Sequence, residues 1–349
     1  MTSAALSDHP FMLPPSGEAT VPPEARGLSR DEVRLLLARP DRLEHHVVRD
    51  LPDLLDPGDL VVVNTSATVP AAVDLTWRGS RTTLHVSTQL DDGSWVVELR
   101  RPDNEGPAEV RPDEVLRLPG GQRLRVLAPY PRPEHHRLWR AVPMPAASWT
   151  DYLAAHGRPI RYSYVDGRWP LDTLQTVFAT HPGSAEMPSA GRPLTEQILV
   201  RLLTRGIPVA PVVLHTGVSS QEAHEPPQPE LFTVPEVTAR LVNSTRSAGR
   251  RVVAVGTTVV RALESVADSS GAVHPATGRT ELVLGADRPA RAVDGLLTGL
   301  HDPAASHLAL LESVVGAGLV RSAYDVVSDP AQGRYLWHEF GDTMLLLGR

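Results

Sequence analysis

The stretch VVAVGTTVVRALES, residues 252–265, decides the fold. Its apolar start, residues 252–255, predicts a buried strand, the Gly256-Thr257-Thr258 turn follows, and residues 259–267 predict a helix. A strand–turn–helix unit of this kind belongs to an α/β protein and leaves backbone N–H groups and two hydroxyls at a helix N-terminus. That geometry suits a carboxylate, a phosphate or a ribose hydroxyl. An ordinary capped helix has the same signature, so both interpretations stay open at this point.

Titratable side chains accompany this unit and two others. Arg261 and Glu264 are three positions apart on the predicted helix, so we expect them to pair. His215, in LHTGV (214–218), follows a predicted strand, and the carboxyl end of a parallel strand is where open α/β sheets bind ligands. Imidazole titrates near neutral pH, which makes His215 a candidate general base. His301, after the apolar LLTGL, is a similar candidate, and a structural role is the alternative for both histidines.

Strand and helix patterns alternate through the rest of the flanking sequence. Ser29 and Glu32 form a capping box that predicts a short helix, with Val33, Leu36 and Leu37 on its apolar face. The other predicted elements are strands over 60–63 and 209–214, a helix capped by Thr195 with Ile198, Leu199, Leu202 and Leu203 on its face and Gly206 past its end, a helix from Asp302-Pro303 to Val315, and two short strands around residues 339–342.

Between these flanks, residues 73–145 have a different texture. Short β-rich runs at 82–86, 95–99 and 123–127 alternate with turn sequences such as Asp91-Asp92-Gly93. Closely spaced short strands predict a small barrel or sandwich. The run begins after a strand of the first domain, so we expect an insertion. The predicted fold is mixed α/β, with a larger domain of residues 1–72 plus 146–349 and an inserted β-barrel of residues 73–145.

Composition excludes several kinds of chemistry. The 349-residue chain has no cysteine, which excludes disulfides, thiolate catalysis and Cys-ligated metals. All 34 basic residues are arginine, so a lysine Schiff base is excluded as well. The net charge of -7 gives no overall basic field for nucleic acid, although a local arginine-lined face would not show in that sum.

The sequence lacks the motifs of a signal peptide, a membrane span and a metal site. The N-terminus lacks the basic start and apolar stretch of a signal peptide, and no apolar run approaches the roughly 20 residues of a membrane span. We therefore expect a cytoplasmic enzyme without membrane contact. The pairs His45-His46 and His135-His136 have no partners at metal-ligand spacing, so no metal site is expected.

Six blocks, taken in order, resemble one enzyme family. They are GDLVVVN (58–64) followed by VPA (69–71), LQTVFA (174–179) with PSAG (188–191), LHTG (214–217), VAVGTTVVRALES (253–265), DGLLTGLH (294–301) and FGDTMLL (340–346). Together they are similar to the S-adenosylmethionine:tRNA ribosyltransferase-isomerases of queuosine synthesis. The resemblance runs from about residue 11 to the C-terminus, and the order of the blocks makes it specific.

The resemblance implies a fold and a reaction. The fold is a larger α/β domain with a β-barrel inserted into it. In the reaction, a base removes a proton from C5′ of S-adenosylmethionine, and adenine and methionine leave. The rearranged ribosyl unit is built on the amine of a 7-deazaguanine in tRNA. S-adenosylmethionine is the substrate, and no bound cofactor or metal is implied.

The resemblance also assigns residues by position. It implies His215 and His301 as catalytic residues, with His215 as the base and the Thr257-Thr258 turn holding the methionine or ribose end. The implied S-adenosylmethionine-binding residues are Asn64, Gln175, Thr176, Ser189, Gly191, Gly217, Gly256, Thr257, Thr258, Arg261, Glu264 and Asp342.

Three segments depart from the family pattern. Residues 64–67 read NTSA and lack the family's acid and base, residues 192–194 read RPL and lack its histidine, and residues 299–304 read GLHDPA without its asparagine and lysine. Three interpretations therefore stay open. The chain is an orthodox tRNA-modifying enzyme, a relative that cleaves or rearranges S-adenosylmethionine with a small-molecule acceptor or none, or a non-catalytic binding protein.

Overall fold

The computed structural model describes residues 17–103, 106–161, 163–218, 228–301 and 307–348. The strands are β1 Arg34–Arg39, β2 Arg42–Val47, β3 Leu60–Asn64, β4 Ser66–Thr68, β5 Ala72–Trp77, β6 Ser80–Gln89, β7 Trp95–Leu99, β8 Val115–Arg117, β9 Arg123–Tyr130, β10 Leu138–Met144, β11 His181–Ser184, β12 Val209–Leu214, β13 Glu230–Val234, β14 Val252–Val255, β15 Ala276–Thr280, β16 Gly295–Gly299 and β17 Thr343–Leu347. The helices are α1 Leu51–Leu54, α2 Trp149–His156, α3 Glu196–Thr204, α4 Glu236–Ser247, α5 Thr257–Glu264, α6 His307–Val315 and α7 Ala317–Ser328.

A nine-stranded sheet forms the centre of the larger part, in the order β15-β13-β12-β3-β14-β16-β17-β1-β2. Its middle strands β12, β3, β14 and β16 are parallel neighbours. Helices cover both faces, so alternate residues of one strand enter different cores: Val62 packs in one cluster, and Val61 and Val63 in another. This is why the strand reads as an unbroken apolar run in the sequence.

A separate six-stranded antiparallel sheet, β5-β6-β7-β10-β9-β8, forms a nearly closed barrel. Its edge strands β5 and β8 approach each other, where Trp77 Nε1 donates to Glu114 Oε1 at 2.7 Å. The barrel encloses its own apolar cluster, which includes Leu84, Trp95 and Leu124. The mixed α/β fold class with a small β-barrel is confirmed, and β6, β7 and β9 contain the three predicted β-rich runs. A two-stranded parallel sheet pairs β11 with β4.

The helix predicted after Ser29 is wrong beyond its first turn. The capping box forms, with Ser29 N donating to Glu32 Oε2 at 2.7 Å, but it starts only the 3₁₀ turn Arg30–Glu32. The chain then extends as β1, between β17 and β2. Leu36 enters one core and Leu35 and Leu37 the other. Because a central strand is buried on both faces, its consecutive leucines also fitted an apolar helix face.

The C-terminal prediction is corrected in the same way. The two strands expected around residues 339–342 are replaced by a turn followed by the single strand β17. Gly341 N donates to His338 O at 3.0 Å in this turn. A Cβ on Gly341 would lie 2.4 Å from Leu336 O, so the chain doubles back too tightly here for a strand.

The other helix predictions hold, with shifted ends. Thr195 Oγ1 accepts from Ile198 N at 3.3 Å and caps α3, but Leu203, expected on the apolar face, is 59% exposed. Helix α5 runs Thr257–Glu264 rather than 259–267. The predicted start of the next helix at Asp302-Pro303 lies outside the described residues, which show α6 from His307. Among the described residues no helix is long and apolar enough to span a membrane.

Replacing Leu36 with alanine tests the corrected assignment of β1. Leu36 is fully buried, so Leu36→Ala is expected to lower the free energy of unfolding by about 2–5 kcal/mol, as for other buried leucines. The exposed Leu203→Ala is the matched control and should change it by less than about 0.5 kcal/mol. Chemical denaturation measures both, and equal small effects would contradict the buried strand.

Candidate active site

The carboxyl ends of the four parallel strands β12, β3, β14 and β16 meet at one edge of the central sheet. Polar residues follow each of these ends: His215, Thr65, Thr257 and His301 come after or close to them. A cavity of about 160 Å³ opens beside this edge. It is lined by Glu186, Met187, Pro188, Ser189, Ala190, Thr216, Val255, Gly256, Thr257, Thr258, Thr298, Gly299, Leu300, His301, His338 and Glu339. We call it the strand-edge cavity. Open α/β sheets bind ligands at such a position.

Five of the predicted site residues line this cavity: Ser189, Gly256, Thr257, Thr258 and His301. Gly256 has a φ of +89°, a conformation that other residues rarely adopt, and it turns the chain from β14 directly into α5. The N-cap residue of α5 is Gly256 itself, which has no side chain to bond the first N–H groups of the helix. The first N–H groups of this helix and the two threonine hydroxyls therefore stand at the cavity wall, where they suit a negatively charged or hydroxyl-rich group.

Asn64 lies behind this wall and ties the strand ends together. Its Nδ2 donates to Leu214 O at 2.8 Å and to Thr258 Oγ1 at 3.3 Å. Its Oδ1 accepts from Leu214 N at 3.0 Å and from Ser66 N at 3.1 Å. The side chain is 2% exposed. Its hydrogen bonds connect β12, the β3–β4 link and α5.

His215 follows β12 and is held by two buried serines. Its Nδ1 lies 2.7 Å from Ser66 Oγ, which lies 2.6 Å from Ser184 Oγ. The pairing of β4 with β11 brings these two serines together. A Cβ on Gly183 would lie 2.5 Å from the same Nδ1, so only glycine leaves room for the ring. Burial, aided by the nearby charges of His181 and Arg279, lowers the pKa of His215 to about 4.

Gly217, Arg261 and Glu264 serve the structure around the site. Gly217 N donates to Glu230 Oε1 at 3.0 Å, and Glu230 pairs in turn with Arg261. Glu264 accepts from Arg291 N at 2.8 Å and from the next residue's N–H at 2.7 Å. The expected pairing of Arg261 with Glu264 is wrong, because each side chain turns into a different buried neighbourhood. None of the three lines the strand-edge cavity.

Of the remaining predicted residues, Gln175 and Asp342 make hydrogen bonds in the fold, and Thr176 and Gly191 are close neighbours. Gln175 bonds the backbone of Thr68 through both amide atoms, at 3.0 and 2.8 Å. Asp342 accepts from Arg34 N at 2.7 Å and from Leu336 N at 2.8 Å, and burial raises its pKa. Thr176 and Gly191 pack beside each other, since a Cβ on Gly191 would come within 3.3 Å of the Thr176 methyl group.

Sequence reasoning missed the wall formed by Glu186, His338 and Glu339. Glu339 accepts a hydrogen bond from the Tyr164 hydroxyl, and burial raises its pKa to about 7. His338 has a φ of +70°, and its ring stacks on Tyr164 with centroids 4.5 Å apart. A strained non-glycine residue beside a cavity is a signal of function that only the backbone geometry provides.

A second cavity of about 70 Å³ adjoins the first. It shares Glu186, Met187 and Glu339 with the strand-edge cavity, and its other lining residues are Thr68, Arg158, Pro159, Ile160, Arg161, Val165, Arg168, Trp169, Leu174, Ala185 and Phe340. We call it the apolar cavity. The two cavities together form a site with two compartments and a carboxyl-bearing wall between them. Across the described ranges, no cluster of His, Cys, Asp or Glu could hold a metal ion.

With this geometry established, the comparisons with known proteins decide the family. A sequence model of the family described as queuosine biosynthesis protein matches residues 6–346. The chain belongs to this family. A Rubrobacter xylanophilus protein named S-adenosylmethionine:tRNA ribosyltransferase-isomerase is 35% identical, over 97% of this chain and 96% of that protein. One of the same name from Acidiphilium cryptum is 32% identical, over 98% and 99% of the two chains.

A solved structure agrees with the family assignment. The crystal structure of S-adenosylmethionine tRNA ribosyltransferase from Thermotoga maritima is similar to this chain with a TM-score of 0.52 at 27% identity. The similarity covers 97% of this chain and 99% of that one. In this chain, four of the six sequence blocks contribute residues to the lining of the strand-edge cavity: 188–191, 214–217, 253–265 and 294–301.

Titration of His215 by NMR tests the electrostatics of the site. We expect its ring to stay neutral from pH 8 down to about 5 and to gain a proton only near pH 4, because burial opposes the charge. In the urea-unfolded chain the same ring should titrate near its usual value of about 6.5. The variant His215→Gln identifies the resonance. A native midpoint above pH 6 would contradict the buried environment.

Proposed function

We propose that this protein transfers and rearranges the ribosyl moiety of S-adenosylmethionine onto a 7-deazaguanine in tRNA, with loss of adenine and methionine. The observation that carries the proposal is the two-compartment site, in which family blocks line one cavity at the strand edge. Two adjoining cavities suit a reaction between two substrates. An acceptor in tRNA also fits the cytoplasmic location expected from the sequence.

S-adenosylmethionine occupies the strand-edge cavity in this proposal. The N–H groups at the start of α5 receive its carboxylate or ribose hydroxyls, with Thr257 and Thr258 as side-chain partners. Ser189 lies on the same wall. The substrate-binding roles expected from the sequence for the other residues stay predictions; these residues are Asn64, Gln175, Thr176, Gly191, Gly217, Arg261, Glu264 and Asp342.

The acceptor base enters the apolar cavity. Ile160, Val165 and Trp169 offer surfaces for a planar ring. Arginines 158, 161 and 168 line the same cavity and supply positive charge for a polyanion. The net charge of -7 makes such a local group the relevant feature for RNA. The shared wall, with Glu186 and Glu339, then faces an amine carried by the base.

The proton chemistry falls to groups in or beside the cavities. Removing the C5′ proton needs a base whose pKa lies near the working pH. Glu339 fits, since burial raises its pKa to about 7 and it lines both compartments. His301, whose Nε2 lies 2.9 Å from Thr298 Oγ1, is placed to assist a leaving group. His215 completes the set from the adjacent strand end.

Incubation with S-adenosylmethionine tests the proposal. We expect adenine and methionine to appear only when a tRNA carrying the aminomethyl-deazaguanine is present. Release without tRNA would favour the relative with a small acceptor or none. Binding without any release would favour the non-catalytic interpretation.

The variant His215→Ala is expected to abolish this release. S-adenosylmethionine binding should remain within about tenfold, roughly 1.4 kcal/mol, because the proposed binding contacts lie at the start of α5 and not at His215. Calorimetric titration and chromatography measure the two effects. Unchanged turnover would remove His215 from the chemistry.

The variant Glu339→Gln is expected to lower turnover by about 10²–10⁴-fold, since the amide keeps the shape of the carboxyl group but cannot take a proton. The exposed Glu236→Gln is the matched control and should leave turnover unchanged. Single-turnover kinetics at saturating substrate separate this loss from weaker binding. A turnover equal to that of the control would exclude Glu339 as the base.

A further inference from the structure

The two serines beside His215 form a hydrogen-bonded chain whose direction can be worked out. Ser66 and Ser184 are both fully buried. Thr216 N donates to Ser184 Oγ at 3.0 Å. Ser184 Oγ lies 2.6 Å from Ser66 Oγ, which lies 2.7 Å from His215 Nδ1. Each hydroxyl has one proton to donate, so the chain can run in two directions.

In the first direction every proton has an acceptor. Ser184 donates to Ser66, Ser66 donates to His215 Nδ1, and the imidazole proton sits on Nε2. In the second direction His215 Nδ1–H donates to Ser66 and Ser66 donates to Ser184. The Ser184 proton then has no acceptor, because among the described residues its hydroxyl meets only Ser66 Oγ and the donor Thr216 N. A buried hydroxyl without an acceptor is unfavourable, so the first direction prevails.

We propose that Ser66 and Ser184 are positioning residues that hold His215 as the Nε2–H tautomer, so that the ring donates a hydrogen bond to the substrate instead of removing a proton. Its target is an atom that gains negative charge, such as a nitrogen of the departing purine. This inference rests on the proposed function for the identity of the substrate. It is an alternative to the expectation that His215 is the base, for which Nε2 would have to be unprotonated.

Two further observations agree with this assignment. Nε2 makes no hydrogen bond within the described part of the chain, so it is available to a ligand. The lowered pKa of His215, caused first by burial, keeps the ring neutral, and a neutral imidazole is a known kind of catalytic hydrogen-bond donor. Gly183 lies against the Nδ1 side of the ring, where a Cβ would come within 2.5 Å of Nδ1.

Two-dimensional ¹H–¹⁵N NMR of the imidazole tests the tautomer without requiring any activity. In the ligand-free protein at pH 7 we expect a protonated-type nitrogen shift at Nε2 and an unprotonated-type shift at Nδ1. The opposite pattern would overturn the proposal. Because this readout is independent of turnover, it stands even if the assay with tRNA fails, and a failed assay would then count against the proposed function alone.

Variants test whether the serines set the tautomer. Ser66→Ala should mix the two tautomers and lower turnover at least tenfold, with little change in KM for S-adenosylmethionine. Ser66→Thr keeps the hydroxyl and should keep the wild-type tautomer and turnover. Ser313→Ala removes a different buried hydroxyl, bonded to Leu310 O, and should alter neither. If Ser66→Ala folds and keeps the wild-type tautomer, the positioning role is wrong.

Discussion

The site depends on the parallel pairing of β12, β3, β14 and β16. Parallel strands end at the same edge, so Thr216 after β12, Thr257 after β14 and His301 after β16 reach one cavity, with the end of β3 behind them. Asn64 fixes the relative height of these ends by bonding both backbone groups of Leu214 and the Thr258 hydroxyl. The strand side of the cavity is therefore tied directly to the sheet.

Several buried polar groups around this edge hydrogen-bond one another in pairs or chains. These bonds fix the orientation of the polar side chains beside the site. Glu230 joins the Gly217 backbone to Arg261, and the two serines join His215 to Thr216. A buried polar group without a partner is costly, so the chain of Ser184, Ser66 and His215 favours one arrangement of protons. The tautomer of His215 follows from this constraint rather than from the identity of the histidine.

The two compartments separate the places proposed for the two substrates. The strand-edge cavity is polar along α5, whereas the apolar cavity lies toward the β-barrel and the segment that follows it. Glu339 stands between them, with its pKa raised by burial in a wall that both share. The strained turn at His338 and Gly341 holds this wall close to the start of β17.

The sequence by itself determined the fold class, the small β-rich domain, six of the seventeen described strands, and the family blocks, because apolar periodicity and the Gly-Thr-Thr turn are local properties. Five expected ligand-site residues line the strand-edge cavity, and the remaining substrate-binding assignments stay predictions that the contacts here do not favour. The sequence could not separate the leucines of β1 from a helix face, since burial on both sides is a property of the whole sheet. Nor could it find Glu339, or the partners of Arg261 and Glu264. Those depend on which distant residues share a buried space, and only the tertiary structure decides that.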